Sequence, residues 1–298
     1  MLGANAMELI FAVIIIAVQV VISVFRWRTI LVAIDAVLPF WQTLRIYLIG
    51  LFFNQVLPSS VGGDAVRIYK VFRLGFPIRT AVHGVMLERI ATVLGLLFLV
   101  ALAAPFFKGQ GGAADTNWMI SFSILVLACG IGGIIILMVL DRIPHIFSAW
   151  RVVRALSNLA ADTRKVFLSP PHAIQAIGWG VLGHIAIAIA VFFIAKSIDL
   201  AVTIIDCIVL MPPVMLVTTL PISIAGWGVR EGAMVAAFAL VGVTSEDALV
   251  LSFMFGMIAI LSAIPGGITW LLTSDKKIEL RTIKKRQTTT SPYEGLSG

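Results

Sequence analysis

An apolar segment that is broken by proline and glycine and ends in arginine occurs twice in this chain, once in each half. Residues 57–67 read LPSSVGGDAVR and residues 220–230 read LPISIAGWGVR, so six positions are identical at one offset of 163 (220 − 57), without a gap. Paired interruptions of hydrophobic segments at corresponding places are typical of membrane transporters built from two repeats. The match therefore predicts two related halves, each carrying one broken element.

Long apolar runs assign the chain to the membrane. The sequence is 60% hydrophobic and only 12% charged, whereas soluble domains average about 45–50% apolar and about 25% charged residues. Runs such as 93–107, 120–140 and 173–195 approach or exceed the roughly 20 residues that cross the hydrocarbon core. They are too continuous for barrel strands, which alternate in polarity. We therefore predict an all-α integral membrane protein.

Basic segments predict the orientation of this protein in the bilayer. Arg26-Trp27-Arg28 follows the first predicted span, 9–25, and further basic segments lie at 67–79, at 142–165 and in the tail. Cytoplasmic loops carry an excess of Lys and Arg, and Trp is enriched at membrane interfaces. We therefore predict that all these segments, and the C-terminus, face the cytoplasm. The expected location is the cytoplasmic (inner) membrane, which the chain crosses several times.

This orientation requires two hydrophobic segments that do not cross completely. If 30–56 were a full span, the basic loop after it would lie outside, so we predict a re-entrant hairpin that enters from the cytoplasm. The broken stretch 203–241 is predicted to enter from the opposite face. The count is then about five full spans among seven or eight hydrophobic segments.

The repeat offset supports the same arrangement independently. Adding 163 to the first span gives the span at 173–195, and the two run in opposite directions, so the repeats are inverted. We place repeat one at about 1–107 and repeat two at about 118–273, within a single domain, 1–273. The span that opens repeat two has no counterpart in repeat one. An amphipathic interfacial helix is predicted at 143–167, and a basic, disordered cytoplasmic tail at 274–298.

Several local motifs give the chain a family resemblance. They are the run Phe53-Asn54-Gln55-Val56-Leu57-Pro58, the Gly62-Gly63-Asp64-Ala65-Val66-Arg67 run, the Glu88-Arg89 pair and the stretch 220–231 that ends in Arg230-Glu231. Together they resemble the flippase-like transmembrane domain of lysylphosphatidylglycerol synthases, over nearly the whole chain to about residue 273. The resemblance implies movement of a polar-headed lipid between leaflets. No aminoacyl-transferase domain follows, so lipid lysylation is not implied.

The first glycine-rich motif is the leading candidate for a lipid-phosphate contact. The glycines Gly62 and Gly63 permit close backbone approach, free N–H groups at a helix start can hold an anion, and Arg67 can bind phosphate through a forked pair of hydrogen bonds. The structural alternative is that Asp64 caps the helix while Arg67 extends to the headgroups. Asn54 either lines a polar cavity or satisfies backbone groups freed by the proline that follows it.

Charged pairs at membrane depth form the second set of candidates. Arg230 is predicted to bind headgroup as the counterpart of the first arginine, with Glu88, Arg89 and Glu231 as counter-charges or as a proton-coupling site. Buried charges in a membrane are costly and are usually paired. A compatible structural alternative therefore pairs Glu88 and Arg89 with Arg230 and Glu231 of the other repeat.

The function predicted from these features is translocation, or facilitated movement, of a phosphate-bearing lipid, with phospholipid or glycolipid as the partner. No nucleotide motif, metal-binding spacing or nucleophile is visible, so we expect no cofactor, no metal and no nucleic acid. Two alternatives stay open at this stage. One is a membrane-embedded transferase acting on a lipid phosphate, with Asp64 and Glu88 as acid and base. The other is a non-catalytic subunit of lipid or envelope assembly, in a homo-oligomer or with a lipid-synthesis enzyme.

Overall fold

The described parts of the chain are helical almost throughout. A computed structural model describes residues 5–57, 62–106, 113–139, 151–218 and 227–273. Its helices are α1 (Ala6–Ala33), α2 (Phe40–Val56), α3 (Gly62–Arg73), α4 (Ile78–Ala103), α5 (Ala113–Val139), α6 (Arg151–Phe167), α7 (Pro170–Ser197), α8 (Ile204–Thr218), α9 (Val229–Ala239) and α10 (Ser245–Leu272).

Four of these helices are long and apolar enough to cross a membrane. They are α1, α4, α7 and α10, while α5 contributes a shorter apolar stretch, Ser123–Val139. The predicted all-α membrane fold is confirmed, and no strand occurs among the residues described. The count of about five full spans stays a prediction.

Local sequence explains where the long helices begin. The Asn5 side chain accepts a hydrogen bond from the backbone N–H of Met7 at the start of α1, and Thr244 does the same for Asp247 at the start of α10. Such caps satisfy N–H groups that have no partner in the first turn. Proline stands at or just before the first residue of α2, α4 and α7, where its missing N–H costs no helical bond.

The helix boundaries follow the offset found in the sequence. A shift of 163 positions carries each helix of the first half onto a helix of the second, with ends that agree within about six residues. The pairs are α1 with α7, α2 with α8, α3 with α9, and α4 with α10. The offset therefore relates four pairs of helices as well as the eleven residues that revealed it, and a common repeat stays a prediction.

The two counterpart helices α1 and α7 run in opposite directions. The backbone N–H of Asn5, before α1, donates to the carbonyl of Ser197, at the end of α7, over 3.0 Å. Further along, the rings of Phe25 and Trp179 stack with centroids 5.4 Å apart. This antiparallel packing is what an inverted repeat requires, whereas the relation of the repeats to the bilayer stays a prediction.

Helices α2 and α3 form an antiparallel hairpin. Near its described tip, the Asn54 side-chain oxygen accepts a hydrogen bond from the N–H of Gly63 over 2.8 Å. At its open end, Arg45 of α2 and Arg73 of α3 line one groove. The chain therefore returns to the end of the bundle from which it entered. Residues 58–61 and 219–226, which hold part of each repeated motif, lie outside the described residues.

Each hairpin packs against a long helix of the other half. Helix α2 packs on α10, and its counterpart α8 packs on α4. The contact between α2 and α10 is close, because a Cβ placed on Gly266 would clash with the carbonyl oxygen of Leu48. Small residues commonly allow such close approach between helices in membranes. The two halves are thereby interlocked.

One sequence prediction at the end of the first span is wrong. Helix α1 continues to Ala33, past the predicted end at residue 25, and Trp27 is fully buried within the protein. Arg26 is buried as well, because it pairs with Glu88 of α4. Arg26 therefore marks an interior site of the protein, whereas Arg28 is partly exposed. Sequence alone could not reveal this, since the partner lies 62 positions away.

The predicted interfacial helix and tail are described only in part. Helix α6 covers Arg151–Phe167, and its residues Leu159 and Val166 are buried in the same core as Trp27. The beginning of the predicted helix at 143 and the tail at 274–298 lie outside the described residues.

Cysteine labelling can test the re-entrant arrangement. We expect Val37→Cys, before α2, and Ile78→Cys, at the start of α4, to react with a membrane-impermeant maleimide from the same face. Both positions are exposed, and the hairpin lies between them. Glu246→Cys, at the exposed start of α10, should react from the opposite face. The measurement uses intact cells and inverted vesicles, in a chain with Cys129→Ser and Cys207→Ala. Opposite accessibility of the first two positions would make the hairpin a full span.

Candidate functional site

A buried carboxylate in α4 is the centre of a charged cluster. Glu88 lies ten residues into α4, about 15 Å along the helix axis, and its side chain is 2% exposed. One oxygen accepts hydrogen bonds from Arg26, through Nε at 3.0 Å and also through Nη2. The other accepts from Nη1 of Arg67 at 3.1 Å. Two guanidinium groups therefore surround a single carboxylate in the interior.

Asp64 extends the cluster towards the outside of the protein. One of its oxygens accepts from Nη1 of Arg67 at 3.3 Å, and the other accepts from Nε of Arg89 at 2.7 Å. Asp64 is the third residue of α3, which begins at Gly62. The suggestion that it caps α3 as the residue before the helix is therefore wrong. Asp64 instead links two arginines, one buried and one with a side chain that is 48% exposed.

The cluster carries an excess of positive charge. Three arginines, Arg26, Arg67 and Arg89, face two carboxylates, Asp64 and Glu88, so one positive charge is left uncompensated within the cluster. Charged side chains at membrane depth are expensive and usually mark a site of function.

Arg67 keeps hydrogen-bond donors that no residue in the described part of the chain uses. Its guanidinium carbon lies 4.1 Å from the ring centre of Trp27 and 4.8 Å from that of Tyr47, which fixes the plane of the group through cation–π contacts. Nη1 serves both carboxylates, whereas Nε and Nη2 are buried without a hydrogen-bond partner among the described residues. Buried donors normally have partners. Arg67 therefore presents an unused donor edge.

The hairpin backbone makes room for Arg67. A Cβ on Gly50 would lie 2.6 Å from Cγ of Arg67, and a Cβ on Gly63 would clash with the carbonyl oxygen of Gly50. At the tip, a Cβ on Gly62 would lie 2.6 Å from the side chain of Leu57. A larger residue at any of these positions would force its neighbours to shift. The Asn54 side chain binds backbone at the start of α3, since its oxygen accepts from the N–H of Gly63, which is not a group freed by the proline.

The second half builds a different cluster around Arg230. Its Nε donates to the hydroxyl of Ser252 at 3.2 Å and its Nη2 donates to Glu231 at 2.8 Å. The guanidinium lies 4.7 Å from the ring centre of Trp227. Glu231 also accepts from the N–H of Gly228, which has a φ of 83°, a conformation that favours glycine. Arg230 is therefore buried but well partnered.

The predicted pairing between the repeats is wrong. Glu88 and Arg89 pair with residues of the first half, and Arg230 pairs with its neighbour Glu231. In the folded chain, Glu88 lies within hydrogen-bond distance of Arg26 and Arg67, and Asp64 within that of Arg67. The sequence pattern alone places Arg26 at an interface and therefore gives no sign of this pairing.

Comparison with protein families shows to which family the chain belongs. The model of the family described as lysylphosphatidylglycerol synthase TM region matches residues 3–266. This chain belongs to that family. The resemblance predicted from the motifs is thereby confirmed, and the family associates this multi-pass membrane protein with lipid handling. Neither a curated protein nor a solved structure gave a match.

Within this member of the lysylphosphatidylglycerol synthase transmembrane family, most predicted site residues meet in one place. Asn54, Gly63, Asp64, Arg67, Glu88 and Arg89 belong to the first cluster, while Arg230 and Glu231 belong to the second. The described contacts of the two clusters share no residue. Sequence reasoning missed four participants, which are Arg26, Trp27, Tyr47 and Gly50. The sequence does contain a signal for Tyr47 and Gly50. Together with Asn54, they recur at helical spacing along one face of α2.

Proposed function

We propose that the protein moves a phosphate-bearing lipid between the leaflets of the membrane and that Arg67 binds the phosphate. The observation that carries this proposal is the unused donor edge of Arg67, buried in a cluster with one excess positive charge. A phosphate accepts paired hydrogen bonds from a guanidinium and supplies the missing negative charge. Membership of a lipid-handling family supports a lipid as the carrier of that phosphate.

The cluster offers a stepwise route for the headgroup. Arg89 is half exposed, whereas Arg67 is buried, and Asp64 bonds to both. A phosphate that first meets Arg89 can replace Asp64 there and then pass to the donor edge of Arg67. Each step exchanges one anion for another, so no guanidinium is left without a counter-charge. The acyl chains stay in the hydrocarbon throughout.

The same contacts favour a role for Glu88 as a fixed counter-charge. It bonds to Arg26 and Arg67 at once, and two cations stabilise the ionised form of a carboxylate. Glu231 is bonded to Arg230 and to the backbone in a similar way. Neither is therefore well suited to carry a proton, and we propose that movement is passive, down the lipid gradient.

Reconstituted liposomes test this proposal. We expect the purified protein to speed the movement of labelled phosphatidylglycerol between leaflets, measured by quenching of the label in the outer leaflet. Arg67→Lys should lower the initial rate at least about tenfold, because an ammonium cannot replace the forked donor edge or its stacking. Arg79→Lys, at an exposed position, is the matched control and should leave the rate unchanged.

The second arginine gives a further comparison. Arg230 already uses Nε and Nη2, so Arg230→Lys should slow lipid movement less than Arg67→Lys does. An unchanged rate in both Arg67→Lys and Arg67→Ala, at equal reconstitution, would remove Arg67 from the path of the lipid.

A further inference from the structure

Trp27 carries a polar group that no described residue satisfies. Its side chain is fully buried, and its indole N–H has no hydrogen-bond partner in the described part of the chain. A buried tryptophan N–H usually finds an acceptor, and a donor left unpaired in the interior carries a desolvation penalty. The N–H therefore needs an explanation that packing of the ring does not provide.

The unpaired N–H belongs to the ring on which Arg67 lies. The guanidinium carbon of Arg67 is 4.1 Å from the centre of the indole ring, and its Nε and Nη2 are also buried without a partner. Five buried side-chain atoms lack a partner among the described residues, and three of them belong to these two stacked side chains. Unpaired donors are thus concentrated at one place, which indicates an acceptor that no described residue supplies.

Stacking alone does not account for a tryptophan at this position. Tryptophan gives the strongest cation–π contact of the aromatic residues, which explains the ring beside Arg67 but not its buried, unpaired N–H. In the second half, Arg230 also lies over a tryptophan, Trp227, and neither side chain leaves a buried donor without a partner in the described part of the chain. An arginine–tryptophan stack can therefore form without unpaired donors, and the first half departs from that pattern.

We infer that the indole N–H of Trp27 is a third donor to the lipid phosphate that Arg67 binds, and that it selects phosphate over a planar carboxylate. This inference deepens the proposed function and rests on it for the identity of the ligand. The N–H lies in the plane of the indole ring, whereas the guanidinium carbon of Arg67 lies above that plane. The ligand is therefore offered donors at two levels.

The shape of a phosphate suits donors at two levels better than that of a carboxylate. At the sp² oxygens of a carboxylate, donors prefer to lie near the carboxylate plane, and a forked pair of bonds aligns this plane with the guanidinium. The oxygens of a phosphate point to the corners of a tetrahedron, so they are not confined to one plane. Phosphate can therefore accept from Arg67 and from the N–H of Trp27 at once.

Nuclear magnetic resonance of the indole N–H groups tests this inference on the purified full chain. With isotope-labelled tryptophan in an uncharged detergent, Trp27→Phe removes one signal and so identifies that of Trp27. We expect water-soluble dihexanoyl phosphatidylglycerol to move the Trp27 proton downfield, because a hydrogen bond to a charged oxygen is short and strong. Hexanoate, a carboxylate with an acyl chain, should leave it in place. Inorganic phosphate should move it only at higher concentration, since it has no acyl chains.

Affinity gives a second measurement. Trp27→Phe keeps an aromatic face beside Arg67 and removes the N–H, so it should weaken binding of phosphatidylglycerol about tenfold and that of hexanoate by less than about twofold. Trp41→Phe, at a position that is 73% exposed, is the matched control and should leave both affinities unchanged. If Trp27→Phe does not fold, substitution of the other tryptophans one at a time still assigns the Trp27 signal.

Three results would overturn the inference: a Trp27 signal that does not move at saturating phosphatidylglycerol, an equal displacement by hexanoate, or inorganic phosphate binding as tightly as phosphatidylglycerol. The Arg67→Lys variant separates this inference from the proposed function. If that variant moves lipid normally while phosphatidylglycerol displaces the Trp27 signal of the unsubstituted chain, the phosphate site stands and the transport path through it fails. If the variant fails to move lipid and the Trp27 signal does not respond, the path stands and the role of Trp27 fails.

Discussion

Glu88→Gln should destabilise the protein more than any other single change of charge in the first cluster. The substitution leaves Arg26 and Arg67 facing each other in the interior without the carboxylate that both contact. Removal of one partner from a buried ion pair typically costs about 3–5 kcal/mol, because the remaining charge stays uncompensated. We expect the apparent unfolding temperature in detergent to fall by roughly 10 °C, together with a lower yield of monodisperse protein.

Two further variants make this prediction specific. Glu246→Gln removes an exposed carboxylate at the start of α10 and should cost less than about 1 kcal/mol. Arg26→Gln/Glu88→Gln removes one cation and one anion, so the excess positive charge of the cluster is unchanged and part of the lost stability should return. Equal unfolding temperatures for Glu88→Gln and Glu246→Gln would show that the buried ion pairs contribute nothing beyond surface charge.

The sequence predicted the architecture well where the signal was periodic or repeated. The offset of 163 that linked Arg67 to Arg230 also relates the ends of four pairs of helices. Hydropathy assigned the membrane class, because a long apolar run has few alternatives in a helical protein. These features depend on residues close together in the chain or on matched spacing, and a single sequence contains both kinds of information.

Pairing between distant side chains could not be predicted in the same way. Arg26 and Glu88 are 62 positions apart. From the sequence alone, Arg26 is expected at a membrane interface and Glu88 is expected to pair with the other half of the chain. The role of Gly50 was also hidden, since its contact with Arg67 requires the hairpin to close first. Such contacts follow from how helices pack in three dimensions, which the spacing of residues does not encode.

Positions that the offset of 163 relates differ in chemistry between the two halves. Trp227 occupies the position of Asp64, Leu251 that of Glu88, and Ser252 that of Arg89. Arg230 accordingly bonds to a hydroxyl and a neighbouring carboxylate instead of joining a chain of ion pairs. Among the described residues, the buried chain of ion pairs thus lies in the first half.

The second large effect is expected from a substitution that prevents helices α2 and α3 from packing closely in the first hairpin. Gly63→Ala would place a methyl group against the carbonyl oxygen of Gly50, and a backbone atom, unlike the end of a flexible side chain, cannot move away on its own. Overpacking of this kind commonly costs about 1–3 kcal/mol, and more where the backbone must shift. Separation of α2 from α3 would also withdraw Arg67 from Trp27 and Tyr47. We therefore expect a lower unfolding temperature and lipid movement close to that of empty liposomes.

A glycine that has open space around it supplies the control for this prediction. Gly178 lies in α7, and a Cβ added there would meet no atom within 4 Å, so Gly178→Ala should be neutral or stabilising by up to about 1 kcal/mol and should leave lipid movement intact. Gly50→Ala tests the same closure from the opposite helix of the hairpin, because its methyl group would press on Cγ and Cδ of Arg67. If Gly63→Ala and Gly178→Ala behave alike in both measurements, close contact between α2 and α3 is not what holds Arg67 in position. Another outcome is a Gly63→Ala variant that keeps its unfolding temperature and fails to move lipid. The buried ion pairs would then have survived the displacement of the hairpin, and the position of Arg67 would matter to transport more than to folding.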